Sequence, residues 1–274
     1  MKQMIAIQGI PGSFHHQVAI QEYGREAEIL TFSTFEEVAK AVFNEEATVG
    51  VMAIENSIAG AILPNYDLID RYGLKIIGEY YLSISHQFMV LPGQKIEDIH
   101  EVRSHPMALL QCKAFLNHYP QIKRIDDIDT ATVAKRISEQ KLKGVAAIAS
   151  EIAAEIYNLE ILVSDIQSVK SNFTRFIFLG KTAQPKDQTP NKASIKITIQ
   201  NKAGSLARLL THFSNLHLDL SKIQSIPVIE KPWEYAFFID LVFDNYHDYH
   251  EAMRVAKAEF GELKILGEYH NRKA

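Results

Sequence analysis

The stretch Met4-Ile5-Ala6-Ile7-Gln8-Gly9-Ile10-Pro11-Gly12-Ser13-Phe14 decides the fold class of this chain. It opens with an apolar run of strand length, continues with a turn rich in glycine and proline, and leads into a helical pattern at 15–21. A strand, a tight turn and a helix in this order form the first unit of an α/β layer structure. Such a turn can also aim backbone N–H groups at an anion, although a plain strand-to-helix turn fits the same residues.

The same alternation continues through the first two thirds of the chain. Apolar runs at 29–32, 49–54 and 76–90 predict strands. Helical periodicity is present at 35–43, 107–117, 131–139 and 152–157. We therefore predict an α/β domain over residues 1–181, followed by a polar, proline-containing interdomain linker at 181–192.

The order of elements changes after this linker. Ile195, Ile197 and Ile199 alternate as one face of a strand, and apolar residues at 204–216 have helical spacing. Strand patterns at 218–229 and 235–243, a helix pattern at 246–260 and a last strand at 263–269 follow. This order predicts a ferredoxin-like βαββαβ domain over residues 193–274.

Composition limits the possible functions. The 274 residues carry a formal charge of −4 with no basic patch, so we expect no nucleic-acid partner. The single cysteine, Cys112, excludes an internal disulfide and fits a reducing compartment. The apolar run at 1–8 is too short for a signal peptide, and no run reaches the roughly 18 apolar residues of a membrane span. We expect a cytoplasmic protein with no membrane partner.

Polar side chains follow two of the predicted strands. Asn56 and Ser57 come directly after a buried strand, where open α/β sheets place ligands, or they cap a helix. Ser104 and His105 precede a helix that begins with proline, so they could donate to a carboxylate, cap that helix, or do both. Asp129 has the position of a helix N-cap. The spacing of the eleven histidines gives no metal-binding pattern.

The segment Ser171-Asn172-Phe173-Thr174-Arg175-Phe176 is the most informative for chemistry. Arg175 lies between two phenylalanines and is followed by an apolar run. A guanidinium in such surroundings is costly unless an anion partners it. That anion could be a substrate or a structural carboxylate such as Asp165, and composition does not separate these two interpretations.

Taken together and in order, the motifs resemble those of the prephenate dehydratase family. The residues that carry the resemblance are Gly9–Phe14, Ile54–Gly60, Ser104–Pro106 with Gln111-Cys112, Asp129–Ala134 and Asn172–Phe176. The resemblance implies two α/β lobes around a cleft, as in periplasmic-type binding proteins, and a chain that crosses between the lobes twice. It implies that prephenate loses water and carbon dioxide to give phenylpyruvate, without a cofactor or a metal.

The resemblance also implies roles for individual residues. Thr174 would donate a hydrogen bond to the leaving hydroxyl, and Arg175 would hold the pyruvyl carboxylate through its bidentate fork. Arg175→Lys would then chiefly raise KM. The remaining substrate-binding residues would be Gly12, Ser13, Phe14, Asn56, Ser57, Ser104, His105, Asn172 and Phe176. The proton source behind Thr174 is not identified by the sequence.

The C-terminal part resembles an ACT domain, a sensor of small molecules. Such domains pair side by side, which implies a homodimer or homotetramer with phenylalanine as effector. The effector would contact Asn201, Gly204, Ser205, Leu206, Gln224 and Ser225. The family's Glu-Ser-Arg-Pro element is Gln224-Ser225-Ile226-Pro227 here, which leaves open whether phenylalanine still binds. Two alternatives also stay open: an arogenate dehydratase and a non-catalytic metabolite sensor.

Overall fold

The computed structural model describes residues 3–183, 189–200, 202–228 and 235–272. The strands of these residues form three sheets. Part of the expected linker, residues 184–188, lies outside the described ranges. None of the described helices is both long and apolar enough to cross a bilayer.

The first sheet carries the strand–turn–helix unit at the amino terminus. Its strands are β1 (Met4–Gln8), β2 (Glu28–Phe32), β3 (Val49–Asn56), β4 (Gly60–Ala61), β5 (Lys75–Ser83) and β11 (Phe173–Gly180). The order is β2-β1-β3-β11-β5 with β4 beside β3, and β11 runs antiparallel to both of its neighbours. Helices α1 (Phe14–Tyr23), α2 (Phe35–Phe43) and α3 (Leu63–Arg71) pack on this sheet and complete the first lobe.

The second sheet forms the core of a second lobe. Its strands are β6 (Gln87–Val90), β7 (Glu101–Ser104), β8 (Lys123–Asp126), β9 (Val145–Ala149) and β10 (Glu160–Val163), in the order β10-β6-β9-β7-β8. Its helices are α4 (Pro106–Gln111), α5 (Lys113–Leu116), α6 (Thr130–Gln140) and α7 (Glu151–Tyr157), with a 3₁₀ turn at Ile96–Asp98. The single helix expected at 107–117 is wrong, because the backbone of Cys112 leaves the helical region and separates α4 from α5.

The chain crosses between the lobes twice. Residues 84–86 lead from β5 to β6, and residues 164–172 return from β10 to β11. The single strand expected at 76–90 is therefore two strands in two different sheets. The two crossings are joined to each other, since the Ile166 N–H donates to the His86 carbonyl at 2.9 Å and the His86 N–H donates to Gln167 Oε1 at 2.9 Å.

The third sheet follows the linker and has antiparallel strands. It contains β12 (Lys192–Ile199), β13 (Asp219–Pro227), β14 (Tyr235–Val242) and β15 (Gly261–Tyr269), in the order β13-β14-β12-β15. Helices α8 (Ser205–Asn215) and α9 (Tyr246–Glu259) give the βαββαβ order of a ferredoxin-like unit. Residue 229, the end of one expected strand, lies outside the described ranges.

This C-terminal unit packs directly on the first lobe. Phe238, Leu266 and Tyr269 belong to the same buried apolar cluster as Ile69 and Ile76 of the first lobe. The approach of β15 to β5 is close, because a Cβ atom at Gly267 would overlap the carbonyl oxygen of Ile76. The sheet that contains the Thr-Arg-Phe segment is thus buried against the C-terminal unit on one side.

Candidate active site

A cleft of about 310 Å³ opens between the two lobes, at the carboxyl ends of β1 and β3. Motifs that are distant in the sequence meet there, as the family resemblance implied. From the first lobe come Ser13, Phe14, Asn56, Thr174 and Phe176, and His105 comes from the second lobe. The other lining residues, which include His15, His86, Gln111 and Asp129, were not predicted as substrate contacts.

Strand geometry brings Thr174 and Phe176 to the cleft together. They are two residues apart on β11, so they lie on the same face. The opposite strand, β3, has a bulge at Ile54: Thr174 pairs with Asn56, and Phe176 pairs with Ala53. This extra residue turns both Ala53 and Asn56 toward the cleft.

The hydrogen bonds of Asn56 fix the direction of the Thr174 hydroxyl. Asn56 Oδ1 accepts the N–H groups of Ile58 at 3.0 Å and Ala59 at 2.9 Å. Its Nδ2 must then point the other way, where it donates to Thr174 Oγ1 at 2.9 Å. Because Thr174 accepts this bond, its own proton remains to be donated elsewhere. Thr174 is only 8% exposed and lines the cleft.

Asn172 lies one layer behind the cleft, although it was expected to contact substrate. It is fully buried, and its Oδ1 accepts from Asn56 Nδ2 at 2.7 Å. Its Nδ2 donates to Gln111 Oε1 at 3.1 Å. The same Gln111 oxygen lies 2.9 Å from Nε2 of His86. A line of hydrogen bonds therefore leads from Thr174 through two asparagines to the second lobe.

The start of helix α1 forms the floor of the cleft. Ser13 caps this helix by accepting the His16 N–H at 3.2 Å. The first N–H groups of a helix have no partner within the helix, so this end attracts anions. On the facing wall, His105 accepts the Met107 N–H at 3.2 Å, and Asp129 accepts the Thr132 N–H at 2.7 Å. The capping interpretations of His105 and Asp129 are thus correct.

Three expected substrate contacts are used elsewhere. Ser104 is fully buried, and its hydroxyl donates to the Ile148 carbonyl at 2.6 Å. Ser57 accepts the Phe173 N–H at 2.9 Å and lines a different cavity. Gly12 lies against helix α7, where its carbonyl accepts from Ser150 Oγ at 2.5 Å, and a Cβ atom there would crowd Ala153. These residues hold the lobes and strands in position.

Arg175 was expected to contact the substrate, but it does not line the cleft. Arg175 follows Thr174 on the strand, so it points to the opposite face, away from the cleft. It is 5% exposed, and its Nε donates to Glu79 Oε2 at 2.8 Å. Its terminal nitrogens donate to Asp240 and to the Tyr269 hydroxyl. The alternative prediction, that Arg175 pairs with a structural carboxylate, is confirmed. The carboxylates are those of Glu79 and Asp240, however, and not that of Asp165.

These partners make up a buried ionic cluster between the first lobe and the C-terminal unit. It consists of Glu79, Arg175, Lys192 and Asp240, with two charges of each sign. Burial by itself would raise the pKa of Asp240, but Arg175 and Ser194 hold that pKa below its ordinary value. Burial also disfavours the charged form of Arg175, yet Asp240 and Tyr269 keep its pKa well above the ordinary value. Asp240 and Arg175 therefore keep their charges, and their ion pair joins the first lobe to the C-terminal unit.

The cleft itself has a different electrostatic character. Of the described residues that line it, none is lysine or arginine. Burial lowers the pKa of His15 to about 3, and its Nε2 accepts the Ala53 N–H at 3.3 Å, so this ring is neutral. No group of three histidine, cysteine, aspartate or glutamate side chains suited to a metal occurs in the described ranges. An anion in this cleft would meet the start of α1 and neutral donors, and also the carboxylate of Asp129.

The residues expected to bind an effector lie in the C-terminal unit. Gly204 has a left-handed backbone (φ +81°) just before α8, and Ser205 is buried. The pairing of Ile199 with Tyr235 and of Tyr235 with Pro227 brings this loop to the same end of the sheet as the 224–227 element. Leu206 packs on the core of the unit, and Gln224 donates to the Ser225 carbonyl at 3.0 Å. Asn201 lies outside the described residues.

Comparison with known proteins identifies relatives along most of the chain. The family model described as prephenate dehydratase matches residues 5–184. The chain is 37% identical over 254 residues to arogenate dehydratase/prephenate dehydratase 1 of Arabidopsis thaliana, with 87% of this chain and 64% of that protein covered. It is 33% identical over 273 residues to the bifunctional chorismate mutase/prephenate dehydratase of Aquifex aeolicus, with 98% and 74% covered.

A solved structure shares the fold of nearly the whole chain. The prephenate dehydratase of Arthrobacter aurescens, in complex with L-Phe, superimposes with a TM-score of 0.88 at 24% identity. The superposition covers 98% of this chain and 90% of that chain. The three-sheet arrangement described above is therefore found in that protein as well.

Proposed function

Because the chain belongs to the prephenate dehydratase family, we propose that its interlobe cleft converts prephenate to phenylpyruvate. The substrate is a dianion with a ring carboxylate, a ring hydroxyl and a pyruvyl carboxylate. The ring carboxylate leaves as carbon dioxide, its electron pair moves through the ring, and the hydroxyl leaves with one added proton as water. Prephenate and one proton thus give phenylpyruvate, carbon dioxide and water, and the aromatic ring supplies the driving force.

The orientation of the Thr174 hydroxyl is the observation that carries this proposal. Asn56 occupies an acceptor position of Thr174 Oγ1, so the Thr174 proton is available to the leaving oxygen. A hydroxyl leaves far more readily when it is hydrogen-bonded or protonated. Threonine is too weak an acid to supply the whole proton, so we assign it the hydrogen bond to the leaving oxygen, and the proton that the reaction consumes is drawn from the solvent.

The walls of the cleft favour loss of the ring carboxylate. Phe14, Ile84 and Phe176 are among the apolar side chains that face it. A carboxylate is poorly solvated in such surroundings, whereas carbon dioxide carries no charge. The transition state spreads the negative charge and is therefore less disfavoured than the bound dianion.

Neutral groups and the start of α1 would hold the pyruvyl carboxylate. The amino-terminal end of α1 reaches the cleft at Ser13, whereas the end of α6 is already capped by the Asp129 carboxylate. The start of a helix stabilises anions through free N–H groups and the helix dipole. This proposal replaces the arginine fork, since Arg175 is fully occupied by Glu79, Asp240 and Tyr269.

The direct test is to incubate the purified protein with prephenate and to follow phenylpyruvate by its absorbance in alkali. We expect turnover that needs no added metal or cofactor. A parallel incubation with arogenate, followed by detection of phenylalanine, separates the arogenate dehydratase alternative. Absence of product from both compounds would contradict the proposal and favour the non-catalytic sensor.

We further propose that residues 193–274 act as an ACT-type sensor domain that binds phenylalanine. The βαββαβ order supports this, and so does the Arthrobacter relative, whose structure contains L-Phe. Side-by-side pairing of these units would give a homodimer or a dimer of dimers, in the cytoplasm. Equilibrium dialysis with phenylalanine and sedimentation of the protein test these two points. Failure to bind at millimolar concentration would show that the altered 224–227 element has lost this ligand.

A further inference from the structure

The hydrogen-bond line behind Thr174 has a fixed direction over its whole length. Two backbone N–H groups determine the orientation of the Asn56 amide, as described above. Asn56 then donates to Asn172 Oδ1, so Asn172 must donate to Gln111 through its Nδ2. The atom of Gln111 that receives this bond has to be oxygen. Each orientation follows from the one before it.

The last member of the line is His86. Its Nε2 lies 2.9 Å from Gln111 Oε1, an atom that can only accept. Nε2 of His86 must therefore carry a proton. Burial lowers the pKa of this histidine, against the opposing effect of Gln111, so the ring is neutral and its Nδ1 has no proton.

We propose that His86 is a positioning residue for the dehydratase reaction: its Nε2–H fixes the Gln111 amide so that Gln111 Nε2 donates to a substrate carboxylate. Gln111 lines the cleft, and its Nε2 has no hydrogen-bond partner in the described ranges. With the oxygen held by His86 and Asn172, the NH₂ group is left to donate to a group bound in the cleft. The proposal rests on the function proposed above.

The environment of His86 is unusual for a residue that merely fills space. The side chain is 3% exposed, and its Nδ1 is buried with no partner among the described residues. The edge-to-face contact with the Phe14 ring, 5.6 Å between centroids, gives this nitrogen no donor. A buried polar atom without a partner costs stability, which an apolar side chain would avoid. A requirement for the Nε2–H explains why this cost is tolerated.

The position of His86 also links the two lobes. It lies in the first crossing, where its backbone is held on both sides by residues 166 and 167 of the return crossing. Gln111 belongs to the second lobe, and Asn172 precedes the strand of Thr174 in the first. The donor on Gln111 and the hydroxyl of Thr174 are thereby set relative to each other across the cleft.

The test compares His86→Gln with His86→Leu. The glutamine amide nitrogen can take the place of Nε2 and still donate, whereas leucine cannot. We expect His86→Leu to raise KM for prephenate about tenfold with a smaller change in kcat, the usual scale for a lost hydrogen bond to a charged group. His86→Gln should restore most of the KM. Equal KM values in wild type and both variants would overturn the proposal.

Gln111→Glu is the matched control. A carboxylate still accepts from His86 and Asn172, but it offers no donor and repels the dianion. Its KM should therefore rise at least as much as in His86→Leu. A purely structural role of His86 would instead lower the folded fraction of His86→Leu and leave its KM unchanged.

Nitrogen NMR of wild-type protein labelled at histidine gives a test that needs no variant to be active. We expect the His86 ring to be the neutral Nε2–H tautomer, with its signals assigned by their loss in His86→Gln. The Nδ1–H tautomer would overturn the proposal. If wild type does not convert prephenate, the proposed function fails, and the tautomer result still stands by itself.

Discussion

The two faces of strand β11 serve different purposes although the residues are neighbours in the sequence. On one face Thr174 and Phe176 line the cleft and meet neutral, mostly apolar side chains. On the other face Arg175 joins the buried ionic cluster with Glu79 and Asp240. The Thr-Arg-Phe segment is therefore two sites, separated by the thickness of one sheet. The cleft residues and the residues that attach the C-terminal unit lie on the same strand but on opposite faces of the sheet.

Strand β3 shows the same division. Asn56 faces the cleft and donates to Thr174, whereas Glu55 faces the C-terminal unit and accepts from Lys222 Nζ at 2.7 Å. Lys222 is two residues before Gln224 on β13. The C-terminal unit therefore contacts both central strands, at Arg175 and at Glu55, next to the cleft residues Thr174 and Asn56.

The largest expected effect comes from Arg175→Met, which removes the central cation of the ionic cluster. Breaking a buried ion pair by removal of one partner costs about 3–5 kcal/mol, because the remaining charge is left without compensation. We expect the free energy of unfolding, measured in urea, to fall by this amount. Arg25→Met, which breaks the exposed pair with Glu155, is the control and should barely shift the unfolding midpoint.

The kinetics of Arg175→Lys test whether Arg175 is separate from the cleft. Lysine keeps the charge and loses the fork. With Arg175 on the far face, we expect KM for prephenate to stay within about threefold of wild type, while stability falls. A large rise in KM with unchanged stability would mean that Arg175 reaches the substrate after all.

Thr174→Ala should have the opposite effect: a large loss of activity with little loss of stability. Loss of the hydrogen bond to the leaving oxygen should lower kcat about 100-fold or more, the usual scale for a positioned acid–base contribution. The free energy of unfolding should change far less than in Arg175→Met, since one hydrogen bond to Asn56 is lost. Thr174→Ser keeps the hydroxyl and should retain most of the activity. Near-normal turnover in Thr174→Ala would refute the assignment.

The sequence predicted the elements better than the direction of side chains. Local periodicity was sufficient for the βαββαβ order and for most strands of the first lobe, because the buried face of each element is apolar. It did not separate β5 from β6, since the crossing at 84–86 is only three residues long and contains no glycine or proline that would mark a break. Such a division depends on which sheet each half pairs with, and that is a long-range property.

The same limit applied to the site. The motifs and their family resemblance predicted that Ser13, Asn56 and Thr174 lie in one cleft. They did not predict the partners of Arg175, because Asp240 and Glu79 are 65 and 96 residues away in the sequence. Strand alternation was the available signal: adjacent residues on a strand cannot both face one cleft. Applied to Thr174-Arg175, it favours the structural interpretation.

The two faces should also contribute to stability over different ranges of pH. His15 lies on the cleft side, edge-to-face with Phe176, and its pKa is lowered from 6.5 to about 3 by burial. Below pH 6.5 the His15 ring binds a proton in the unfolded chain but not in the folded protein. Its contribution therefore lowers the free energy of unfolding as the pH falls from 6.5 toward 3. The expected slope is about 1.4 kcal/mol per pH unit. The pKa of Asp240 is lowered below 3.8, so the stabilisation from the far face is lost only at more acidic pH.

Urea unfolding at a series of pH values tests this separation. His15→Gln is a neutral replacement that should flatten the slope between pH 6.5 and about 3. Asp240→Asn should lower stability at neutral pH and leave the His15 slope in place. An unchanged slope in His15→Gln would show that this histidine is protonated in the folded protein.

The smallest expected effect is that of Lys222→Gln, at the edge between the two faces. The ammonium group contacts Glu55, whose side chain is 39% exposed, and lies 5.1 Å from the centre of the Tyr66 ring. A partly exposed pair of this kind contributes at most about 1 kcal/mol. Because Glu55 points away from the cleft, kcat without effector should not change. A fall in kcat of more than about threefold would show that the Glu55 side of β3 acts on Asn56, and the separation of the faces would then be incomplete at this strand.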